Sequence, residues 1–308
     1  ASARQCALAA NDGSVGALAN RLEAVRRSPD ETGGLWIQEF GYFADRAGTA
    51  FGPGYRGHGI GVAVGFDRPI GPFYAAGLNF VGAASEVSEV DGVDDPMSAL
   101  TAQVGAYAGA RTDMFDLDVY AAVGYDSFEH NRRVLIGEFD AAPSAEWTGW
   151  HTSASARIGR DIAFTDNWYF RPAFSVDYLR LSESGYTETG GGIGVDLSVG
   201  DRETTSFSGT GLMTLGARFE NDNSWWAPTV RVGFRNEFGD SDAETTASFS
   251  DFDDTFTLRS QSMPGTGAIF GFGIAAGSGY STFSFDYDAD VREDFIRHTA
   301  RLVMRMVF

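Results

Sequence analysis

From Phe295 to the end of the chain, residue character changes at every step. Ile296, His298, Ala300, Leu302, Met304 and Met306 fall on one side, and Arg297, Thr299, Arg301, Val303, Arg305 and Val307 on the other. A period of two is that of a β-strand, whose side chains point alternately to opposite faces. A mostly apolar face backed by three arginines places such a strand between two different solvents. The pattern recurs upstream. Phe115, Leu117, Val119, Ala121, Val123 and Tyr125 oppose Asp116, Asp118, Tyr120, Ala122, Gly124 and Asp126. Phe170, Phe174, Val176 and Tyr178 oppose Arg171, Ser175 and Asp177. Val230, Val232 and Phe234 oppose Arg231 and Arg235, while Phe283, Phe285 and Tyr287 oppose Ser284, Asp286 and Asp288. A soluble β-sandwich with a polar outer face shares this alternation. Its strands, however, average five or six residues; several runs here exceed that and match the roughly 9–11 tilted residues that cross a bilayer.

The pattern predicts twelve strands, at 34–46, 55–68, 73–87, 97–111, 115–131, 147–164, 168–183, 206–220, 225–238, 264–277, 280–290 and 295–308. Their connections alternate between long (47–54, 88–96, 132–146, 184–205, 239–263) and short, the short ones being 69–72, 112–114, 165–167, 221–224 and 278–279. The last connection, 291–294, should be long by this rule and is short. Short turns at one end and long loops at the other are the habit of outer-membrane barrels. The fold class expected is therefore all-β, a 12-stranded antiparallel transmembrane β-barrel. An even strand count puts both of its ends on the periplasmic side. All six tryptophans fall near predicted strand ends: Trp36, Trp168, Trp225 and Trp226 at the periplasmic rim, and Trp147 and Trp150 at the outer rim. Interfacial tryptophan keeps its ring buried and its N–H wet, so all six are expected at the membrane interface.

Composition removes several alternatives. Net charge is −19 and every basic residue is arginine, which argues against nucleic acid as a partner, because phosphate binding wants a basic surface. There is no run of 18 apolar residues and hence no transmembrane helix, whereas a barrel strand needs only alternate apolar positions. Acidic stretches at 86–95, 240–244, 251–254 and 286–294 read as solvated loops, with divalent-ion binding as the other reading. Cys6 is the sole cysteine, so no disulfide framework exists. The histidines His58, His130 and His298 fit no metal-ligand spacing, and no cofactor motif occurs. The chain lacks a charged segment followed by an apolar core at its start, so upstream sequence is expected before Ala1.

Residues 14–27 read differently. Val15, Leu18, Leu22 and Val25 recur at helical spacing, Asp12 or Ser14 can cap the start, Arg26 and Arg27 suit the C-terminal dipole, and Ser28-Pro29 stops it. Twelve strands enclose room for roughly one helix. The expected organisation is a linker, residues 1–33, whose short α-helix threads the lumen of a barrel over 34–308. Arg21, Arg26 and Arg27 would meet lumen carboxylates such as Asp116, Asp118, Asp126, Asp177, Asp286 and Asp288. The arginines Arg171, Arg231, Arg235, Arg297, Arg301 and Arg305 would complete a hydrated, mixed-charge interior.

A short helix, twelve strands, acidic outer loops and a terminal Phe308 together resemble the β-domain, or translocator, of autotransporters (type Va secretion). Gly34-Leu35-Trp36 resembles the family's opening, and Arg297-His298-Thr299-Ala300-Arg301 with Val307-Phe308 its close. The resemblance implies a monomeric anchor in the bacterial outer membrane. It would be inserted by the barrel-assembly machinery with Phe308 as part of the assembly signal, and would export its own N-terminal passenger. Some members cut the passenger free at an asparagine pair in the helix; Gly16-Ala17 stands there in this chain, which argues against that reaction, and Asn11-Asp12 is expected to lie outside the helix. Two rivals are a passive pore and a barrel phospholipase. For the latter, His151-Thr152-Ser153 supplies a histidine and a serine on one strand face, but no residue is evident to orient the histidine.

Overall fold

The structure is a computed structural model. It describes residues 2–27, 34–49, 52–90, 92–221, 224–238, 244–252, 254–259, 265–278 and 281–306. Twelve strands form the barrel: β1 Gly34–Arg46, β2 Tyr55–Ile70, β3 Phe73–Glu89, β4 Met97–Arg111, β5 Asp116–Asn131 and β6 Ser144–Gly159 in the first half. The second half is β7 Trp168–Glu183, β8 Arg202–Ala217, β9 Ser224–Glu237, β10 Thr266–Ser278, β11 Ser281–Arg292 and β12 Phe295–Met306. Each strand pairs antiparallel with its sequence neighbours, and β1 pairs with β12 from Ile37↔Met304 to Arg46↔Phe295, which closes the sheet. Closure pairs the two edge strands with each other, as hydrocarbon requires.

Two of the expected strands begin and end earlier than the alternation indicated. The run 147–164 is β6 from 144 to 159 plus a two-residue strand at Ile162–Ala163, and 206–220 is β8 from 202 to 217 plus Phe219–Asn221. Two short turns use one device: Thr112 Oγ1 accepts from the backbone N–H of Phe115, and Thr165 Oγ1 from that of Trp168. The β2–β3 turn places Gly71 at φ 57°, a left-handed conformation that glycine adopts without penalty. At the opposite end the long loops carry structure of their own. Tyr186–Thr187, Leu197–Val199, Glu244–Phe249 and Thr255–Arg259 form a four-stranded sheet. Between β11 and β12 only two residues intervene, so the one break in the long–short rule is real.

Burial follows parity. On β5 Asp116, Asp118, Tyr120 and Asp126 are buried while Val119, Val123 and Tyr125 are exposed. Ile60, Phe66, Leu78, Phe80, Leu100 and Phe270 stand on the same outer surface. A continuous apolar belt of this kind is the lipid face of a barrel.

The helix differs most from expectation. Helix α1 runs over Ser2–Arg27, 26 residues rather than fourteen, about 39 Å long at 1.5 Å per residue. Asp12 and Ser14 are therefore interior positions and not caps, and Asn11-Asp12 lies within the helix. Its first turns, with Ala3, Cys6, Ala7 and Leu8, pack among Val87, Met97, Phe128, Trp147 and Leu181. Its later turns pack through Ala17, Leu18, Leu22 and Val25 on Trp36, Phe40, Val81, Tyr107 and Tyr120. The helix thus threads the lumen with its N-terminus toward the long loops and its C-terminus toward the short turns.

Candidate functional site: the helix in the lumen

The lumen wall is uneven. Strands β1 to β5 present large inward side chains, and α1 lies against them. Phe40 is wedged between helix and wall: a Cβ built at Gly13 of α1 or at Gly61 of β2 would overlap its ring. Small residues at these two points permit the close approach. A Cβ at Gly16 would fall 2.5 Å from the Arg301 guanidinium.

Ion pairs tie the helix down along its length. Arg21 makes a two-pronged bond to Asp67, Nε to Oδ2 at 2.8 Å and Nη2 to Oδ1 at 2.7 Å. Asp67 Oδ2 also accepts from Tyr107 Oη at 2.7 Å, and Tyr107 Oη accepts from Trp36 Nε1 at 2.6 Å. Such bidentate arginine–carboxylate contacts are the stronger kind. Arg26 sits among Asp116 (3.3 Å), Asp118 (3.6 Å) and Asp161 (3.7 Å), and its carbonyl accepts from Arg111. Arg27 pairs with Glu23 at 2.7 Å and lies 4.1 Å above the Tyr169 ring. Nearer the N-terminus the sense reverses: Asp12 of the helix accepts from Arg235 at 2.9 Å and from Arg297. Asn20 donates to Asp286 at 3.2 Å.

The remaining lumen residues form wall-to-wall pairs. Arg231 bonds Asp286 (2.7 Å) and Asp288 (3.1 Å), Arg301 bonds Asp288 at 2.5 Å, and Arg171 bonds Asp116 at 2.9 Å. Asp177 accepts from Ser155 at 2.7 Å rather than from a helix arginine, and Asp126 likewise meets no arginine of α1. The Arg305 side chain and Phe308 lie outside the described residues. Alternation alone did not single out Asp67 or Asp12. Asp67 sits in Gly-Phe-Asp-Arg-Pro, one pair from a turn, and its inward parity with Gly61, Ala63 and Gly65 was the available signal.

The tryptophans divide by parity. Trp150, Trp168 and Trp226 are exposed on the outer face, with Trp150 at 60 %. Trp36 and Trp147 are buried inside, contrary to a membrane-interface role. Trp147 stacks on Phe128 and Tyr186 and donates to Glu183 at 2.9 Å. Trp225 shares inward parity with Arg231 and carries Arg218 over its ring at 4.1 Å. Strand-end position alone did not distinguish these; the neighbours at ±2, such as Gln38 and Phe40 for Trp36, do.

The histidine of the phospholipase rival has an orienter after all. His151 Nδ1 lies 2.6 Å from Asp126 Oδ2. Its Nε2, the atom that would serve a serine, is 2.9 Å from Gln103 Oε1 instead, and Ser153 Oγ has no hydrogen-bond partner among the described residues. Gln103 passes the contact on to Ser14 of the helix and to Tyr120. The constellation joins helix and wall. Among the described residues no group of three or more His, Cys, Asp or Glu is placed to hold a metal.

A closed twelve-stranded barrel with an apolar belt and an ion-paired helix in its pore defines an outer-membrane translocator. Residues 35–290 match the family model described as "Autotransporter beta-domain", and the chain belongs to that family. The fold is similar to that of the translocator domain of the autotransporter NalP from Neisseria meningitidis, with TM-score 0.67 and 16% identity over 98% of this chain and 99% of that one. It is also similar to the β-domain of the Bordetella autotransporter BrkA (TM-score 0.64, 17% identity, 90% and 100% coverage). The transport unit of AIDA-I from Escherichia coli gives TM-score 0.57 at 9% identity, with 95% and 98% coverage. A stretch of 137 residues, 44% of this chain, is 26% identical to an uncharacterized Pseudomonas putida protein of the trpE-trpG intergenic region, and spans 23% of that relative's length. The chain is the outer-membrane translocator domain of an autotransporter, and membership implies an N-terminal passenger.

Proposed function

We propose that α1 is the last part of the passenger linker held in the pore, and that residues 1–33 serve as this linker and 34–308 as the translocator. The observation that carries the reading is the run of pairs Asp12–Arg235, Arg21–Asp67 and Arg26–Asp116, which grips a helix whose N-terminus points to the long-loop end. Polypeptide upstream of Ser2 then emerges on the cell surface. Arg21, Arg26 and Arg27 act as anchors, with Asp67, Asp116 and Asp118 as their receptors. Arg171, Arg231, Arg301 and Asp286 and Asp288 keep the rest of the lumen hydrated and evenly charged, so that an extended chain passes without sticking. Insertion proceeds through the barrel-assembly machinery as a monomer. The domain performs no chemistry of its own; His151 is a structural donor, since Gln103 occupies the nitrogen a serine nucleophile would need.

The test is a short epitope fused upstream of Ser2 behind an export signal. Protease added to whole cells should remove the epitope while the barrel stays folded. An epitope that remains shielded until the outer membrane is broken, with normal barrel yield, would refute the reading.

A further inference from the structure

The lipid face carries one charge far from water. β1 turns Leu35, Ile37, Glu39, Gly41 and Phe43 outward, and Glu39 is exposed among exposed Leu35, Ile37 and Phe43. On the neighbouring strands it stands opposite Val62 of β2 and Leu302 of β12, both also exposed. On β2 the outward charges Arg56 and Arg68 each lie six residues from Val62, about 20 Å along the strand. Other outward charges among the described residues, such as Glu86 on β3, Glu129 on β5 and Arg180 on β7, also stand toward strand ends. Glu39 therefore sits near the middle of a hydrocarbon layer about 30 Å thick, too deep for its short side chain to reach water.

Nothing in this chain answers that charge. Glu39 has neither a hydrogen bond nor an ion pair among the described residues. An ionisable side chain in hydrocarbon is costly unless paired. A second observation lies beside it. Gly41, the next outward residue of β1, pairs with Ala300 of β12 and with Ile60 of β2. A Cβ built at Gly41 meets nothing closer than Gly59 O at 3.6 Å, so no part of the barrel needs the space, and its φ is not one that demands glycine. The inward glycines differ: a Cβ at Gly61 or Gly65 would overlap Phe40 or Trp36. Small residues on a membrane-facing surface let a neighbouring backbone come close. Gly41 and Ala300 thus floor a shallow recess between Ile60 and Leu302, with Glu39 at its edge.

We propose that this recess is the docking surface for a second transmembrane barrel of different sequence, one that presents an arginine or lysine from its own lipid face to Glu39. A basic side chain near the midplane of a barrel's lipid face is itself destabilising, so the two charges relieve each other through a charge-assisted contact. A second copy of this chain cannot supply the cation. A two-fold axis along the membrane normal keeps every residue at its own depth, and the outward arginines Arg56, Arg68 and Arg180 stand toward strand ends. Lipid tails carry no donor at all. The inference rests on placement in the outer membrane and not on the role given to α1.

The test is photo-cross-linking of the full-length protein in its native outer membrane. A photoreactive phenylalanine analogue replaces Leu302, which stands opposite Glu39; Phe270, exposed on β10, carries it as the control. Irradiation should give an adduct with a second protein at 302 and none at 270. Glu39→Leu should cut that adduct at least about tenfold, as loss of one partner from a desolvated charge pair does, and Glu39→Gln should cut it less. Barrel yield and heat-modifiable migration should be unchanged in both. Changing the captured protein's membrane-embedded arginine or lysine to leucine should remove the adduct, and exchanging the two charges, with Glu39→Arg on this side, should restore it. If Glu39→Arg does not assemble, Glu39→Leu and Glu39→Gln decide. No adduct, an adduct between two copies of this chain, or an adduct that survives Glu39→Leu overturns the proposal. So does a captured protein with no basic side chain facing lipid.

Discussion

Asp67→Asn tests the grip on the helix most directly. Asp67 is fully buried and holds both prongs of Arg21, whose side chain is 5 % exposed. The substitution keeps the shape of the side chain and removes its charge, leaving the buried guanidinium without the carboxylate that holds both its prongs. Breaking a buried pair by removing one partner costs about 3–5 kcal/mol. At about 1.4 kcal/mol per decade, docking of α1 should weaken by roughly two to three and a half decades. Tyr107 loses its carboxylate acceptor as well, which places the effect toward the upper end. The assay is hydrogen exchange of the α1 amides, read beside the open fraction of single barrels in planar bilayers. Helix amides should exchange faster by that factor while the β1–β12 ladder, which Asp67 does not support, keeps its protection. Replacing both partners, Arg21→Met with Asp67→Leu, should restore most of the docking, since a buried pair exchanged for apolar residues is often neutral. Less than a threefold change in Asp67→Asn, or a double variant as loose as the single one, would refute the reasoning.

Three further outcomes follow from the same contacts. Gly13→Ala pushes a methyl group into Phe40 and should loosen α1 by about 1–3 kcal/mol, seen as faster tryptic cleavage at Arg21 without loss of barrel. Trp147→Leu removes a stacked, hydrogen-bonded core side chain and should lower the unfolding midpoint by the equivalent of about 2–4 kcal/mol, whereas Trp150→Leu, on the lipid face, should shift it by less than about 1 kcal/mol; equal effects would contradict the parity assignment. Reversing Asp116 and Asp118 to arginine sets two cations against Arg26 and should free the helix C-terminus, measured as protease access to residues 21–27; unchanged protection would sink the role given to these aspartates.

How much of this was legible beforehand depends on the period of the signal. Strands such as β5 and β12 were plain because each face has one solvent, and every second residue repeats the same message. The end positions were less plain: on β6 the alternation runs past Gly159 into Ile162–Ala163, which pairs only with β7. The first half of α1 was not legible because Ala3, Ala7, Ala9 and Ala10 are buried yet small, so no apolar stripe stands out. Gly13 and Gly16 look like helix breakers, whereas in the pore they are where Phe40 and Arg301 come close. Charge pairing was legible as a class and not as a list. Arg26 and Asp116 stood in the two sets expected to meet, with nothing in the spacing to single out that pair. Arg21–Asp67 and Asp12–Arg235 depend on how far the helix sinks into the barrel, a three-dimensional quantity with no trace in local spacing.

The helix and the barrel answer to separate forces. Closure rests on the β1–β12 ladder and the lipid-facing belt, neither of which involves α1. Docking rests on three anchor points along one helix, at Asp12, Arg21 and Arg26. Asp12 and Arg21 are nine residues apart, about 14 Å along the axis, far enough for their contributions to add; Arg21 and Arg26, about 8 Å apart, fall at the margin of that rule. No single substitution among the three should therefore empty the pore, while each should change how often it opens. A barrel that stays assembled while its plug exchanges suits a translocator, because the wall must hold its shape before the helix settles. The unequal wall serves the same end: bulky residues on β1 to β5 give the helix one place to rest, and the small residues of β9 to β11 leave the other side clear.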